Sequence, residues 1–156
     1  FSAERKQYEI AISEDRPAAF DGIVHAALDL PVVSPTGTRM KRLDGLGSHF
    51  LAAAKNGDAM VFTLPVKKEG TYELLADFVT YPGYGIFQLS VDGKPLGQPF
   101  DGYTPELDES EPVSFGQAQL AAGPHQIELR LVGRNPKASR SSFLSVRRFF
   151  LLPKVP

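Results

Sequence analysis

The sequence predicts an all-β protein, an antiparallel β-sandwich or jelly roll, and three observations carry that expectation. Apolar and polar residues alternate in short runs between Asp58 and Leu131. Turn-forming residues separate these runs at intervals of roughly 8–15 residues. A last apolar, aromatic-rich run covers residues 143–152. Period-two alternation sends one set of side chains to a core face and the other outward. About eight to ten strands at this spacing is the pattern of two stacked antiparallel sheets.

In chain order, residues 6–13 read as a first strand with Tyr8, Ile10 and Ile12 on one face. Residues 14–47 are irregular, interrupted by Pro17, Pro31 and Pro35, with a turn at Ser34-Pro35-Thr36-Gly37. Within them Ile23, Ala26, Ala27 and Leu30 have helical spacing, so a short helix is expected over 22–30. A structureless stretch of that length is unusual in a compact domain, so part of it should add a strand or cover a sandwich edge. Residues 48–55 predict a strand. Asn56-Gly57, a preferred type I′ pair, would fold it back on the strand at 58–66, where Met60, Phe62, Leu64 and Val66 share a face.

Lys67-Lys68-Glu69-Gly70 turns into a strand over 71–80, where Tyr72, Leu74, Ala76 and Phe78 alternate with polar residues and Leu75 is the exception. After the loop Tyr81-Pro82-Gly83-Tyr84-Gly85 opens, a strand is expected over 84–91, with Phe87, Leu89 and Val91 on one face. Asp92-Gly93 is a tight turn, and Pro95 marks a short or edge strand. Residues 103–112 hold Glu106, Asp108, Glu109 and Glu111 and read as a solvated acidic loop. Strands over 113–120 and 125–131 follow, joined by Ala121-Ala122-Gly123-Pro124. In the last run alternation breaks at Arg147-Arg148, where a bulge is expected. Residues 1–156 are expected to form a single sandwich domain.

Composition narrows the function classes. A chain of 156 residues that is 42% hydrophobic can bury a core without staples. Seventeen basic and 18 acidic side chains, net charge −1, give neither a nucleic-acid footprint nor an acidic tail. The local cluster Arg134, Lys137, Arg140, Arg147 and Arg148 reads as a solvated face. The absence of cysteine excludes disulfides, thiolate metal sites and cysteine nucleophiles. No apolar run approaches the ~20 residues that span a bilayer, so no membrane partner is expected. The chain opens Phe1-Ser2-Ala3-Glu4-Arg5-Lys6, with neither Met nor an apolar leader core, which predicts a processed protein or a piece of a larger one.

Catalytic constellations are not apparent. His25, His49 and His125 lack metal-ligand spacing, and Gly45-Leu46-Gly47-Ser48 lacks the Lys-Ser/Thr ending of a phosphate loop. Ser48-His49 is not a nucleophile elbow. Asp77, Asp92, Asp101, Glu106, Asp108, Glu109 and Glu111 offer many carboxylate pairs, and sequence spacing promotes none of them. The expectation is a binding module rather than an enzyme.

Several phrases in this order resemble a known family. They are Glu69-Gly70-Thr71-Tyr72-Glu73-Leu74, then Tyr84-Gly85-Ile86-Phe87-Gln88-Leu89-Ser90-Val91-Asp92-Gly93-Lys94-Pro95-Leu96-Gly97, then Leu120-Ala121-Ala122-Gly123-Pro124-His125 and Val132-Gly133-Arg134-Asn135-Pro136-Lys137. Together, over residues 57–152, they resemble the galactose-binding-like β-sandwich of carbohydrate-binding modules of families 6 and 35. They are also similar to related modules appended to bacterial glycoside hydrolases, including the glycoside hydrolase 172 type. The motifs are mostly turn chemistry, so they speak to fold more than to ligand. The resemblance implies a carbohydrate ligand, a linked or associated glycoside hydrolase, and an extracellular or periplasmic location. Calcium-binding members carry two acids in the first strand and an aspartate in the last. Here Tyr8-Glu9-Ile10-Ala11 keeps one acid, and Ser145-Val146-Arg147 supplies none. An arginine there opposes a cation, so no cofactor is expected.

Sugar recognition needs a flat aromatic for the apolar face of a pyranose and a few polar groups for its hydroxyls. Tyr81 and Tyr84 are the first candidates for the aromatic, with Asp77, Gln88 and Asn135 (next to Arg134) for the hydroxyls, and Tyr103 as a second aromatic. The plainer reading is that Tyr84 and Phe87 pack in the core, Tyr81 covers an edge and Tyr103 caps one. The alternative function is a structural or protein–protein assembly module, favoured if Phe143, Phe149, Phe150, Leu151 and Leu152 are exposed.

Overall fold

A computed structural model describes residues 22–154. The expected strand at 6–13, with Glu9, lies outside them. The strands in chain order are β1 (Ile23–Ala26), β2 (Val32–Val33), β3 (Met40–Leu43), β4 (Ser48–Leu51), β5 (Ala59–Val66), β6 (Gly70–Thr80), β7 (Ile86–Val91), β8 (Lys94–Pro95), β9 (Phe100–Asp101), β10 (Asp108–Glu109), β11 (Val113–Leu120), β12 (Gly123–Gly133) and β13 (Leu144–Pro153). One sheet runs β10-β6-β13-β4-β3, with β11 also paired to β6 and β1 to β13. The other runs β2-β5-β12-β7-β8, with β9 added to β7. All the strand pairings within the two sheets are antiparallel.

The predicted core face is the observed one. Tyr72, Leu74, Ala76 and Phe78 of β6 meet Met60, Phe62 and Leu64 of β5 and Phe87 and Leu89 of β7 in a single buried cluster. Phe62 and Phe149 close the two layers edge to face, 5.1 Å between ring centroids, and Phe78 stacks on Phe100 at 4.2 Å. Each buried phenylalanine contributes roughly 1.5–3 kcal/mol by leaving water, which makes this layer the main source of stability. The predicted bulge is present, because the β6–β13 register shifts between Val146 and Arg148. At the Asp92-Gly93 turn both φ angles are positive, 50° and 85°, as a type I′ connection between β7 and β8 requires.

Four local expectations are corrected. Residues 22–30 form strand β1 and one 3-10 turn, Ala27–Asp29, rather than a helix. Pairing of Ile23 with Leu151 and Ala26 with Arg148 outweighs the helical spacing. Asn56-Gly57 does not close a hairpin, since β4 pairs with β3 and β13 while β5 lies in the other sheet. The turn is instead a crossing between layers. The Asp58 carboxylate accepts the Ala54 and Lys55 amides at 2.8 and 3.1 Å, and Gly57 N–H donates to the Leu131 carbonyl at 2.8 Å. These bonds hold the Asp58 carboxyl down at about 2, the Ala54 amide contributing most.

The third correction concerns the outward face of the first sheet, which is not solvated. Leu75, Val79, Ser145 and Phe150 are buried there beside Asp77. Arg147 and Arg148, expected on an exposed basic face, turn instead toward Asp77 and Glu109. Glu109 was expected in a solvated loop. It is half-buried in β10, and its carboxylate lies 2.7 Å from Arg147 Nη1. Fourth, residues 14–47 are less irregular than expected within the described part, and the expectation that some of them add a strand or cover an edge holds there, since β1, β2 and β3 each extend a sheet.

The histidines report on this packing. His125 Nδ1 lies 2.6 Å from the Asp92 carboxylate and Nε2 2.7 Å from the Ala121 carbonyl. Burial alone would lower this imidazole, but the Ala121 carbonyl and Asp92 outweigh it and hold its pKa above 6.5. His25 and His49 are held below 6.5, mainly by burial and secondarily by Lys67 and Arg42 respectively. The signs are therefore opposite. His125 stabilises fully below the unfolded value near 6.5 and loses that contribution as pH rises through its raised value. His25 and His49 stabilise fully above 6.5 and lose it as pH falls through their depressed values. In an NMR titration His125 is expected to show the highest midpoint of the three. A His125 midpoint below either of the others contradicts the assignment.

Candidate functional site

The candidate site is a rim of three loops at the end of the sandwich where β6 stops. The chain leaves β6 at Thr80 and turns through Tyr81-Pro82-Gly83-Tyr84-Gly85 into β7. Tyr81 N–H donates to the Gly102 carbonyl (3.1 Å) and Thr104 N–H to the Tyr81 carbonyl (3.4 Å), tying this loop to residues 102–107. Ser139 N–H donates to the Pro82 carbonyl (2.8 Å), and Phe143 N–H and Ser141 Oγ donate to the Gly83 carbonyl (3.1 and 2.8 Å), tying it to residues 134–143. A Cβ at Gly83 would lie 2.2 Å from Ser141 Oγ, so glycine is what allows the loops to close. The rim is braced on both sides of Tyr81, which lowers the ordering cost of binding.

The predicted site residues divide into two groups. Tyr81 is 47% exposed, with its ring 5.7 Å from that of Tyr84 and tilted by 50°. Asn135 and Tyr103 reach the same rim through Asp101. Asn135 Nδ2 donates to Asp101 Oδ2 at 2.7 Å, and Tyr103 N–H donates to Asp101 Oδ1 at 3.0 Å. Asn135 Oδ1 accepts the Lys137 amide at 2.9 Å, which fixes the orientation of the side chain. In the sequence Asp101 is only one of many carboxylates. The Asp101-Gly102 turn beside Tyr103 was the available signal for it.

Tyr84, Gln88 and Asp77 are placed differently. Tyr84 is only 6% exposed, its hydroxyl is 2.8 Å from Ser145 Oγ, and burial raises its pKa. It packs between Tyr81 and Phe50, so it supports the rim as core and leaves no face for a sugar. Gln88 Nε2 donates to the Leu89 and Leu96 carbonyls at 2.8 and 3.1 Å, holding the β7–β8 hairpin. Asp77 does face away from the core, as its place in the alternation implies, but it is fully buried and ion-paired with Arg148. None of the three presents a free polar group at the rim, because each satisfies a buried partner first.

The flank of the rim beside residues 134–143 is basic. Arg134 Nη1 donates to the Arg140 carbonyl at 2.8 Å, and both arginines, with Lys55 and Asn56, line a small cavity of about 330 Å³. Among the described residues no group of three or more His, Cys, Asp or Glu is arranged to hold a metal ion.

No protein-family model matches the chain, and no curated protein matches it. Solved structures do. A family 35 carbohydrate-binding module from Clostridium thermocellum aligns with 85% of this chain and 98% of its own, with a TM-score of 0.54 at 12% identity. A Paenibacillus xanthan lyase aligns over 84% of this chain with a TM-score of 0.74 at 21% identity, and the match covers 13% of the lyase. The Podospora anserina GH26-CBM35 β-(1,4)-mannanase aligns over 86% with a TM-score of 0.58 at 17% identity, and the match covers 28% of that enzyme. The chain thus spans a small part of the two enzymes and nearly all of the isolated module. At these identities the likeness is one of fold: the chain has the β-sandwich of carbohydrate-binding modules.

Proposed function

We propose that the chain is a noncatalytic carbohydrate-binding module, accessory to a glycan-active enzyme and working outside the cytoplasm. Residues 1–156 would form one such module. The reading is carried by one observation: an exposed Tyr81 ring on a loop braced by its two neighbours, with the Asn135–Asp101–Tyr103 cluster on the same rim. Tyr81 stacks against the apolar face of a sugar ring, and the Asp101 carboxylate and Asn135 amide bond its hydroxyls. Tyr103 flanks the ring. An open rim orders few ligand atoms, so single-site affinity is weak.

Two acids, Asp77 and Glu109, do share Arg147, but Asp77 is enclosed and Arg148 adds a second cation. A glycosidase pair needs an open cleft between its carboxylates, and this arrangement neutralises charge instead. Assembly through the last strand gains no support either, because Phe149, Phe150 and Leu151 are buried and Phe143 and Leu152 are partly buried. A glycan array probed with the whole chain is expected to give binding to a restricted set of saccharides. A blank array together with stable capture by an isolated hydrolase domain would favour the assembly reading.

A further inference from the structure

A second cavity lies at the opposite end from Tyr81. It has a volume of about 870 Å³ and opens beneath the Lys67–Gly70 turn, where β6 begins. Thr71, in its wall, is ten residues along the same strand system from Tyr81, a separation of roughly 30 Å. A ligand bound at the rim does not reach it. The volume falls in the range of about 300–1,000 Å³ typical of small-ligand sites.

The wall combines what a saccharide needs with a net positive charge. Tyr72, Ile23, Pro65 and Pro153 give apolar surface, the Gln117 amide offers a donor and an acceptor, and Gln119, whose Oε1 accepts the Thr71 hydroxyl, offers its amide donor. Gln117 and Gln119 stand two residues apart on β11, opposite Glu73 and Thr71, so both project from the same face of the sheet. The Tyr72 hydroxyl donates to the Lys68 carbonyl and so pins the turn. Three lysines, Lys67, Lys68 and Lys154, line the cavity against one acid, Glu69. Lys154 is paired with Glu73 at 2.8 Å, whereas Lys67 and Lys68 have no carboxylate partner among the described residues.

We infer that this cavity is a second saccharide site, selective for sugars bearing a carboxylate or sulfate, with Lys67 and Lys68 taking the anion and Gln117 and Gln119 the hydroxyls. It rests on the reading of the chain as a saccharide binder but not on the Tyr81 rim. A chain with binding sites at both ends bridges two glycan strands, or two points on one strand, and gains avidity that neither site has alone.

The test follows amide resonances of the whole chain by NMR while a galacturonate tetrasaccharide, its methyl-esterified counterpart or a sulfated galactan tetrasaccharide is added. Resonances of Thr71, Gln117 and Gln119 are expected to move with at least one of the two anionic sugars and not with the ester. Which anion moves them tells carboxylate from sulfate recognition. The Lys67→Gln/Lys68→Gln variant, altered only in exposed side chains, is expected to lose at least tenfold in that affinity and keep any binding at Tyr81. Tyr81→Ala is expected to leave the anionic site unchanged. No movement at the three residues, equal response to the ester, or an unaltered double variant overturns the proposal, and rim binding would survive each of these outcomes.

Discussion

Replacing Arg148 by alanine is expected to cost the fold about 3–5 kcal/mol, because it removes the guanidinium that makes three hydrogen bonds to a buried carboxylate. Asp77 is fully buried. Arg148 Nε donates to both of its oxygens, at 3.3 and 3.1 Å, and Nη2 adds a third bond to Oδ2. Arg147 Nη1 stands at 3.5 Å, too far for a good hydrogen bond. The Arg148 guanidinium also lies 5.3 Å from the Phe150 ring centroid, so the change removes packing as well as charge. Lysine at this position keeps the charge but not the planar fork and is expected to recover only part of the loss. An Asp77→Leu/Arg148→Met pair leaves neither charge of the pair behind and is expected to lose less than Arg148→Ala alone. Urea denaturation reads all three. An alanine variant within about 0.5 kcal/mol of the parent would mean that water reaches Asp77 after all.

The second large loss is expected at Gly97→Ala. Gly97 has φ +68°, and a Cβ built there lies 2.2 Å from the Phe115 carbonyl oxygen and 2.9 Å from its Cα. The obstacle is backbone, so no side chain can swing aside. Gly93 is the matched control, because its φ is +85° and nothing lies within 4 Å of its Cβ. Gly93→Ala therefore meets conformational strain alone, about 1–2 kcal/mol. Gly97→Ala adds the displacement of β11 from its contact, a further ~1–3 kcal/mol. Thermal melts of the two variants side by side isolate the close approach. Equal losses would show that β11 yields without cost.

Much of the fold was legible from local pattern. Alternation located β5, β6, β7, β11 and β12 to within two residues, and the Asp92-Gly93 turn and the bulge at Arg147-Arg148 were readable from residue type. What escaped depends on partners distant in the chain. Asn56-Gly57 has hairpin chemistry, yet whether the flanking strands pair is decided by β3, β12 and β13, which compete for their edges. The buried outward face of β6 did leave a trace. Leu75 and Val79 are out of phase with Tyr72, Leu74 and Phe78, as two-sided burial requires, and Phe150 stands out of phase with Phe149 and Leu151 in β13.

The candidate site was legible as a loop and not as a constellation. Tyr81, flanked by Pro82 and Gly83, was identifiable as a rim aromatic. Tyr84, three residues on, has the same chemistry but faces Phe50 and Ser145. Asp101 and Asn135 meet across 34 residues of sequence, and no local spacing announces that bond. The cavity beneath the Lys67–Gly70 turn gathers residues from β1, β5, β6, β11 and β13, which only the assembled sheets bring together.

Isothermal titration of the best glycan ligand into the parent, Tyr81→Ala and Tyr84→Phe bears most directly on the claim that the rim binds sugar. Tyr81→Ala is expected to weaken binding at least tenfold with an unchanged melting temperature, since the ring is half in solvent and its removal opens no cavity. Tyr84→Phe, which loses only the buried hydroxyl, is expected to lower the melting temperature and leave affinity per folded molecule intact. Full affinity in Tyr81→Ala would contradict the account.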